Sequence, residues 1–249
     1  MEIQFLGTGT STGVPQIGCK CSTCTSCDSK DKRLRASVLI TEGESRILID
    51  CGPDLRQQML TYDIDWISGI LVTHEHYDHL GGLDDVRPLG QAHVYAEKKV
   101  LNAIRQNMAY SFSDKKYPGV PSIILNEISE EKFVVNNVEV QPIRIMHASL
   151  PILGFRIGNV AYLTDVKTID DKSIELLKGL DILIINALRH TEHFSHLNLN
   201  EALELSAKIG ARETYFTHIS HDMGLYEITN KTLPKRIQIA YDGLKLIIN

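Results

Sequence analysis

GILVTHEHYDHLGG, residues 69–82, begins as an apolar run and ends as a dense set of polar ligand groups. Gly69–Thr73 reads as a buried strand, being short, continuous and bounded by turn residues. His74, His76, Asp78 and His79 follow within six residues, and Gly81 and Gly82 close the stretch. A strand end is a rigid platform from which neighbouring side chains reach one cleft. Imidazole and carboxylate together suit zinc, iron or manganese. A single histidine in a polar turn would carry little weight. Three histidines and an aspartate behind one strand point to a metal centre.

The rest of the chain can house such a centre. It has 249 residues, 43% of them hydrophobic, enough to bury a core without covalent staples. Five cysteines is an odd number and no stretch reads as a signal peptide, so a reducing, cytoplasmic location is expected and disulfides are disfavoured. No apolar run approaches the roughly 20 residues of a membrane span, so no membrane partner is expected. Net charge is −5, from 26 basic and 31 acidic residues, which argues against an extended nucleic-acid surface. A homodimer is compatible with these totals.

Strand patterns cover Glu2–Leu6, Ser37–Thr41, Arg46–Asp50, Gly69–Thr73, Val138–Ile145, Gly154–Ile157, Val160–Thr164, Ile182–Ile185, Glu213–Thr217 and Leu244–Ile248. Turns at 42–44 and 158–159 suggest hairpins. Asn198–Gly210 reads as a helix, with Asn198 as cap, Glu201 three residues on and Gly210 as the stop. Hairpins followed by strand–helix alternation predict one α/β domain over 1–249, its sheets covered by helices. Segment 101–121 breaks the pattern with Tyr110, Phe112, Lys115, Lys116 and Tyr117. It reads either as a surface excursion with a short helix or as a lid over an anionic substrate.

THEHYDHLGG resembles the signature of the metallo-β-lactamase superfamily, and the resemblance extends over nearly the whole chain. LIDCGPD (48–54), MHAS with His147, YLTD with Asp165 and YFTHISHD with His218 follow in the superfamily's order. The resemblance implies an α/β (α+β) fold, a four-layer αββα sandwich of two mixed sheets with helices outside. It implies one catalytic cation on His74, His76 and His147, and a second on Asp78, His79 and His218. Asp165 would bridge them, and Asp50 would orient the ligand loops from behind. Zinc and manganese both suit these ligands. Two such ions about 3.5–4 Å apart share a hydroxide and screen phosphate charge.

ALRHTEHFSHLNLNEAL (187–203) adds His190, His193 and His196, candidates to protonate a leaving oxygen. Phosphodiesterase branches of the superfamily carry a histidine before an L-x-x-x-E-A helix, which makes His196 the expected acid and His193 the next. With Asp78 and Asp165, His196 would then form the catalytic set. FLGTGTSTGVPQIGCKCSTC (5–24) and GGLDDVRPL (81–89) resemble the branch that cleaves phosphoribosyl 1,2-cyclic phosphate. That likeness implies a structural zinc on Cys19, Cys21, Cys24 and His221, and a closed set of four N/S ligands is what such a zinc requires. Cys27 stands as the alternative fourth ligand.

The expected activity is hydrolysis of a small or cyclic phosphodiester by a hydroxide held between two metals, with a histidine acid. Alternatives are a tRNA 3′-processing nuclease, a thioester or lactone hydrolase, and a zinc-stabilised binding protein without catalysis. The nuclease usually carries a flexible basic arm, and no Gly/Lys-rich arm is visible here.

Overall fold

The central strands are apolar on both faces, because one face meets a second sheet and the other meets helices. Ile47 and Ile49 join the core between the sheets, while Leu48 points to the helical side. Ile182 and Ile184 repeat this in the second half, with Leu183 and Ile185 turned outward. This double burial is why the sequence shows continuous apolar runs rather than clean alternation. A computed structural model describes residues 1–115 and 117–248.

The strands are β1 (Glu2–Gly7), β2 (Ser37–Glu42), β3 (Ser45–Ile49), β4 (Gly69–Leu71), β5 (Gln91–Ala96), β6 (Ser122–Glu127), β7 (Phe133–Val135), β8 (Val138–His147), β9 (Leu150–Ile157), β10 (Val160–Leu163), β11 (Ile182–Asn186), β12 (Glu213–Thr217), β13 (Ile237–Ile239) and β14 (Lys245–Ile247). The first sheet runs β14-β1-β2-β3-β4-β5-β6 and the second β13-β12-β11-β10-β9-β8-β7. Each is antiparallel on one side and parallel on the other, the change falling at β3 and at β10. Both sheets are thus mixed, and helices cover their outer faces, giving the expected four-layer αββα sandwich. No helix among the described residues is long and apolar enough to cross a membrane.

Three local differences from the sequence reading have physical causes. β5, β6, β7 and β13 were not expected; three of these are edge strands, and β6 is only half-buried along most of its length. The strand expected at Gly69–Thr73 stops at Leu71, because the Thr73 amide donates to the Asp50 carboxylate (2.9 Å) instead of to a neighbouring strand. β8 continues to His147, delivering that side chain from a regular ladder. The helix Leu199–Ile209 carries the expected capping box, Asn198 with Glu201, and ends at left-handed Gly210.

Segment 101–121 supplies parts of two helices, Lys98–Asn107 and Ala109–Phe112. Tyr110 donates to Asp84, and both Tyr110 and Phe112 pack on the core beneath the first sheet, so these two aromatics anchor the segment. Lys116 lies outside the described residues.

The polar residues converge where the strands end. Asp50 follows β3, Asp165 lies two residues beyond β10, and His218 follows β12. All three have left-handed backbone, with φ of 62°, 58° and 56°. Non-glycine residues adopt that region at a cost, and such strain gathers at functional sites. Two glycines let the ligand loops touch: a Cβ on Gly52 would lie 2.1 Å from the Asp78 carbonyl, and one on Gly82 2.1 Å from the Gly52 carbonyl.

Candidate metal centres

The first cluster is built from strand ends of both sheets. His74, His79, His147, Asp165 and His218 are all buried. Asp50 sits beneath them, fully buried, and accepts a hydrogen bond from His79 Nδ1 at 2.7 Å. Thr73 Oγ1 lies 3.0 Å from both Asp50 oxygens and 3.0 Å from His74 Nδ1. Donation along that line, from His74 to Thr73 to Asp50, fixes His74 with its Nε2 lone pair forward. His147 Nδ1 donates to the Ser195 and Asp165 carbonyls at 2.9 and 3.1 Å, which fixes its Nε2 likewise. Three imidazoles are therefore held in the same tautomer, as metal-ligating histidines are by the partners of their other nitrogen.

The forward atoms then lack ordinary partners. His79 Nε2 is buried without a hydrogen bond, although Asp78 Oδ2 and Asp165 Oδ2 each lie 3.2 Å away. Neither nitrogen of His218 has a hydrogen-bond partner, and its Nε2 is 3.5 Å from Asp78 and 3.4 Å from Asp165. His74 Nε2 faces His76 Nδ1 at 2.9 Å. Lone pairs facing one another at these distances require protons or cations between them. Burial opposes charge on His79, yet Asp78, Asp50 and Asp165 raise its pKa well above the usual imidazole range. Burial likewise opposes ionisation of Asp165, but His218 and His79 hold its carboxyl well below the usual range. For His74 burial prevails, and its pKa falls well below normal. Orphaned buried nitrogens on His79 and His218 beside ionised carboxylates, with the other nitrogen of His79 already tied to Asp50, fit divalent cations.

Candidate metal-holding groups form within this cluster: His74, His79 and Asp165; Asp78, His79 and His218; and His147, Asp165 and His196. Asp165 belongs to the first and third of them. Its Oδ2 also accepts from Thr164 Oγ1 (2.6 Å), and its Oδ1 meets His196 Nε2 at 2.8 Å. Burial pushes the His196 pKa down to about 4, against the pull of Asp165. His193 Nδ1 sits 3.1 Å from His196 Nδ1, with Ser195 Oγ within 3.2 Å of both rings. His190 turns away and donates to the Met223 carbonyl.

Sequence reasoning overlooked Thr73, Thr164 and Ser195, which hold the ligands in place. Each directly precedes a named acid or histidine in the chain, and that adjacency was the available signal.

The second cluster is a loop closed by a distant turn. Cys19, Cys21, Cys24 and His221 bring four donor atoms within 4.8 Å of one another. His221 Nδ1 lies 3.5 Å from Cys19 Sγ and 3.4 Å from Cys21 Sγ. Cys27 is exposed and stands outside this group. The Cys24 amide, then His221, hold the Cys21 thiol down at about 6, whereas burial and the neighbouring thiols push Cys24 up to about 11. Thiolates so close repel one another unless a cation joins them, so this set fits zinc.

A family profile for the β-lactamase superfamily domain matches residues 45–219. The chain is 46% identical to an octanoyltransferase of Porphyromonas gingivalis, over all of this chain and 52% of that protein. It is 30% identical to coenzyme PQQ synthesis protein B of Rhodopseudomonas palustris, over 47% of this chain and 42% of that one. The chain thus spans about half the length of the curated relatives it matches. Among solved structures, a diphosphatase of the PhnP family superposes with a TM-score of 0.93 at 40% identity, covering 100% of this chain and 98% of that one. Zinc-bound PqqB from Methylobacterium extorquens has a TM-score of 0.83 at 21% identity, with both chains fully covered, a likeness of fold.

Proposed function

We infer that this chain, which belongs to the β-lactamase superfamily, is a metal-dependent hydrolase of small or cyclic phosphodiesters. The observation that carries this reading is the contact of His196 Nε2 with Asp165 Oδ1 at 2.8 Å, which sets a histidine at the carboxylate shared by the ligand groups. Likeness over the whole chain to a PhnP-family diphosphatase supports phosphate chemistry.

His74, His76 and His147 would hold one divalent ion, zinc or manganese, and Asp78, His79 and His218 another, with Asp165 between them. When bound, such a pair supplies a nucleophilic hydroxide near neutral pH and offsets phosphate charge. Asp50 and Thr73 keep the His79 and His74 lone pairs forward, and the Ser195 carbonyl does so for His147. His196 gives a proton to the leaving oxygen as the P–O bond breaks. Burial lowers its pKa, and a phosphate anion beside it would raise it toward the range a general acid needs. Cys19, Cys21, Cys24 and His221 would hold a structural zinc that ties the N-terminal loop to the turn after His218.

Thioester hydrolysis is the second reading, favoured by the 46% identity to a protein named for octanoyl transfer. That name describes a chain about twice as long, of which this one matches 52%. The two readings separate on the leaving group: a thiolate departs without a proton, whereas an alkoxide needs an acid such as His196. Rates on a cyclic ribose phosphate, a precursor tRNA, a thioester and a lactone, with metal content measured on the same sample, decide between them. Turnover confined to the thioester would reject the phosphodiesterase reading.

A further inference from the structure

His79, His74 and His147 each have a partner behind the ring: Asp50, Thr73 and the Ser195 carbonyl. His218 has none, since its Nδ1 is buried without a hydrogen bond. Its ring lies stacked between His79 and His196, at 11° and 17°, which sets the plane of the imidazole. Its placement must come from the backbone. That backbone is left-handed, with φ of 56°, a conformation that a histidine keeps only where its surroundings enforce it.

The enforcing bonds come from the segment just past β1. The Ile219 amide donates to the Thr8 carbonyl (2.8 Å), and the Thr10 amide donates to the Ile219 carbonyl (3.0 Å). Thr8–Thr10 therefore grips the residue after His218 at both of its backbone groups. Thr8 is fully buried, and its hydroxyl joins two opposite charges. Arg33 Nη1 donates to Thr8 Oγ1 at 2.7 Å and to the Ala240 carbonyl at 2.6 Å. Thr8 Oγ1 donates to Asp242 Oδ1 at 2.7 Å, and Asp242 Oδ2 accepts from the Leu34 amide at 2.7 Å. The Ala240 amide in turn donates to the carbonyl of Phe216 on β12, two residues before His218 (2.9 Å). Burial lowers the pKa of Arg33, and Asp242 is the foremost group that raises it again. The buried cation thus holds the approach to His218 through Ala240 and its exit through Thr8.

We propose that Thr8, Arg33 and Asp242 are positioning residues for His218, setting its Nε2 through the backbone as Asp50 sets His79 through the side chain. This rests on the reading of the histidine–carboxylate cluster as a two-ion centre in which His218 holds one of the ions. Thr8 Oγ1 is the joint of the unit. Without it, Arg33 and Asp242 each lose a partner, and segment 8–10 is free to move against Ile219. His218 has nothing behind its ring to resist that movement, whereas His74, His79 and His147 do.

The test counts the zinc ions that the metal-loaded full chain retains as a buffered chelator lowers free zinc. Wild type, Thr8→Val, Thr8→Ser and Asp242→Asn are compared with His218→Ala, which marks the ion that His218 holds. Melting temperatures are measured on the same samples, and cobalt refilling reports each site by its absorption. Thr8→Val should release one ion at a free zinc concentration about 10–100-fold higher than wild type does. Its cobalt spectrum should then match that of His218→Ala, with the thiolate band of the cysteine site unchanged. Thr8→Ser, which keeps the hydroxyl, should behave as wild type. Asp242→Asn should follow Thr8→Val; if it does not fold, the two Thr8 variants decide. Release as in wild type, equal weakening of every ion, or equal damage in Thr8→Val and Thr8→Ser overturns the positioning role and leaves the two-ion reading standing. Wild type that holds zinc only at the cysteine site rejects the two-ion reading, and the positioning role with it.

Discussion

The two ligand clusters lie close along the chain, His218 in one and His221 in the other, yet they are constructed on opposite principles. The histidine–carboxylate cluster hangs from strand ends, with Asp50, Asp165 and His218 in left-handed backbone and their side chains buried. The cysteine cluster hangs from a loop with one short helix, Ser22–Thr25, and Cys19 and Cys21 are only half-buried. Rigid placement from a sheet suits ions that must meet a substrate at fixed distances. A loop that lacks its own hydrophobic core instead gains order from the ion it binds. On the proposed function the difference would separate chemistry from stability, and substitutions in each cluster should divide the same way.

Asp165→Ala is the most severe test. It removes the carboxylate shared between ligand groups, and turnover should fall by at least about 10³-fold, the scale of losing a residue that acts as part of a unit. Steady-state rates with metal content measured on the same protein check this; near-normal turnover would sink the shared-carboxylate model. His196→Ala comes next. Loss of a general acid should slow esters with poor leaving groups by about 10²–10⁴-fold and activated nitrophenyl esters far less. Equal losses on both substrates would remove the acid role.

Cys21→Ser shifts the effect from rate to stability. One zinc should be lost and the melting temperature should drop by several degrees, at about 2–4 °C per kcal/mol for a chain of this size. The catalytic pair and measurable turnover should remain; loss of all metal from a still-folded protein would contradict the separation. Cys27→Ser is the smallest change. Its side chain is exposed and outside the donor set, so stability should stay within about 0.5 kcal/mol of wild type. A loss of zinc from this variant would exchange His221 for Cys27.

Much of the first cluster was legible because its ligands follow apolar strands directly, and short-range order on the chain matches short-range order in space. His147, Asp165 and His218 were readable only through the resemblance: each ends or follows an apolar strand, but a lone histidine or aspartate in that place does not mark a ligand. Thr73 and Ser195 act through one hydroxyl and one carbonyl, and nothing in composition distinguishes a hydroxyl that relays a hydrogen bond from one that faces solvent. The missing strands failed for a different reason. β7 and β13 are three residues long and lie at sheet edges, so they have too few residues to show a period. The reading of 101–121 as a lid had no local test: Tyr110 is held by Asp84, a partner 26 positions away.

The division of ligands between the sheets has a thermodynamic consequence. Asp50, His74, His76 and the short helix Tyr77–Leu80 that carries Asp78 and His79 follow strands of the first sheet, while His147 ends β8 and Asp165 and His218 follow β10 and β12 of the second. An ion coordinated from both sides acts as a clasp, and its binding energy is lost whenever the sheets part. Denaturation midpoint should therefore rise with free metal concentration, by about 2.7 kcal/mol of added stability at 100 times the dissociation constant. A chelator would loosen the whole sandwich rather than one loop, which makes metal occupancy a direct readout of whether the two halves are docked.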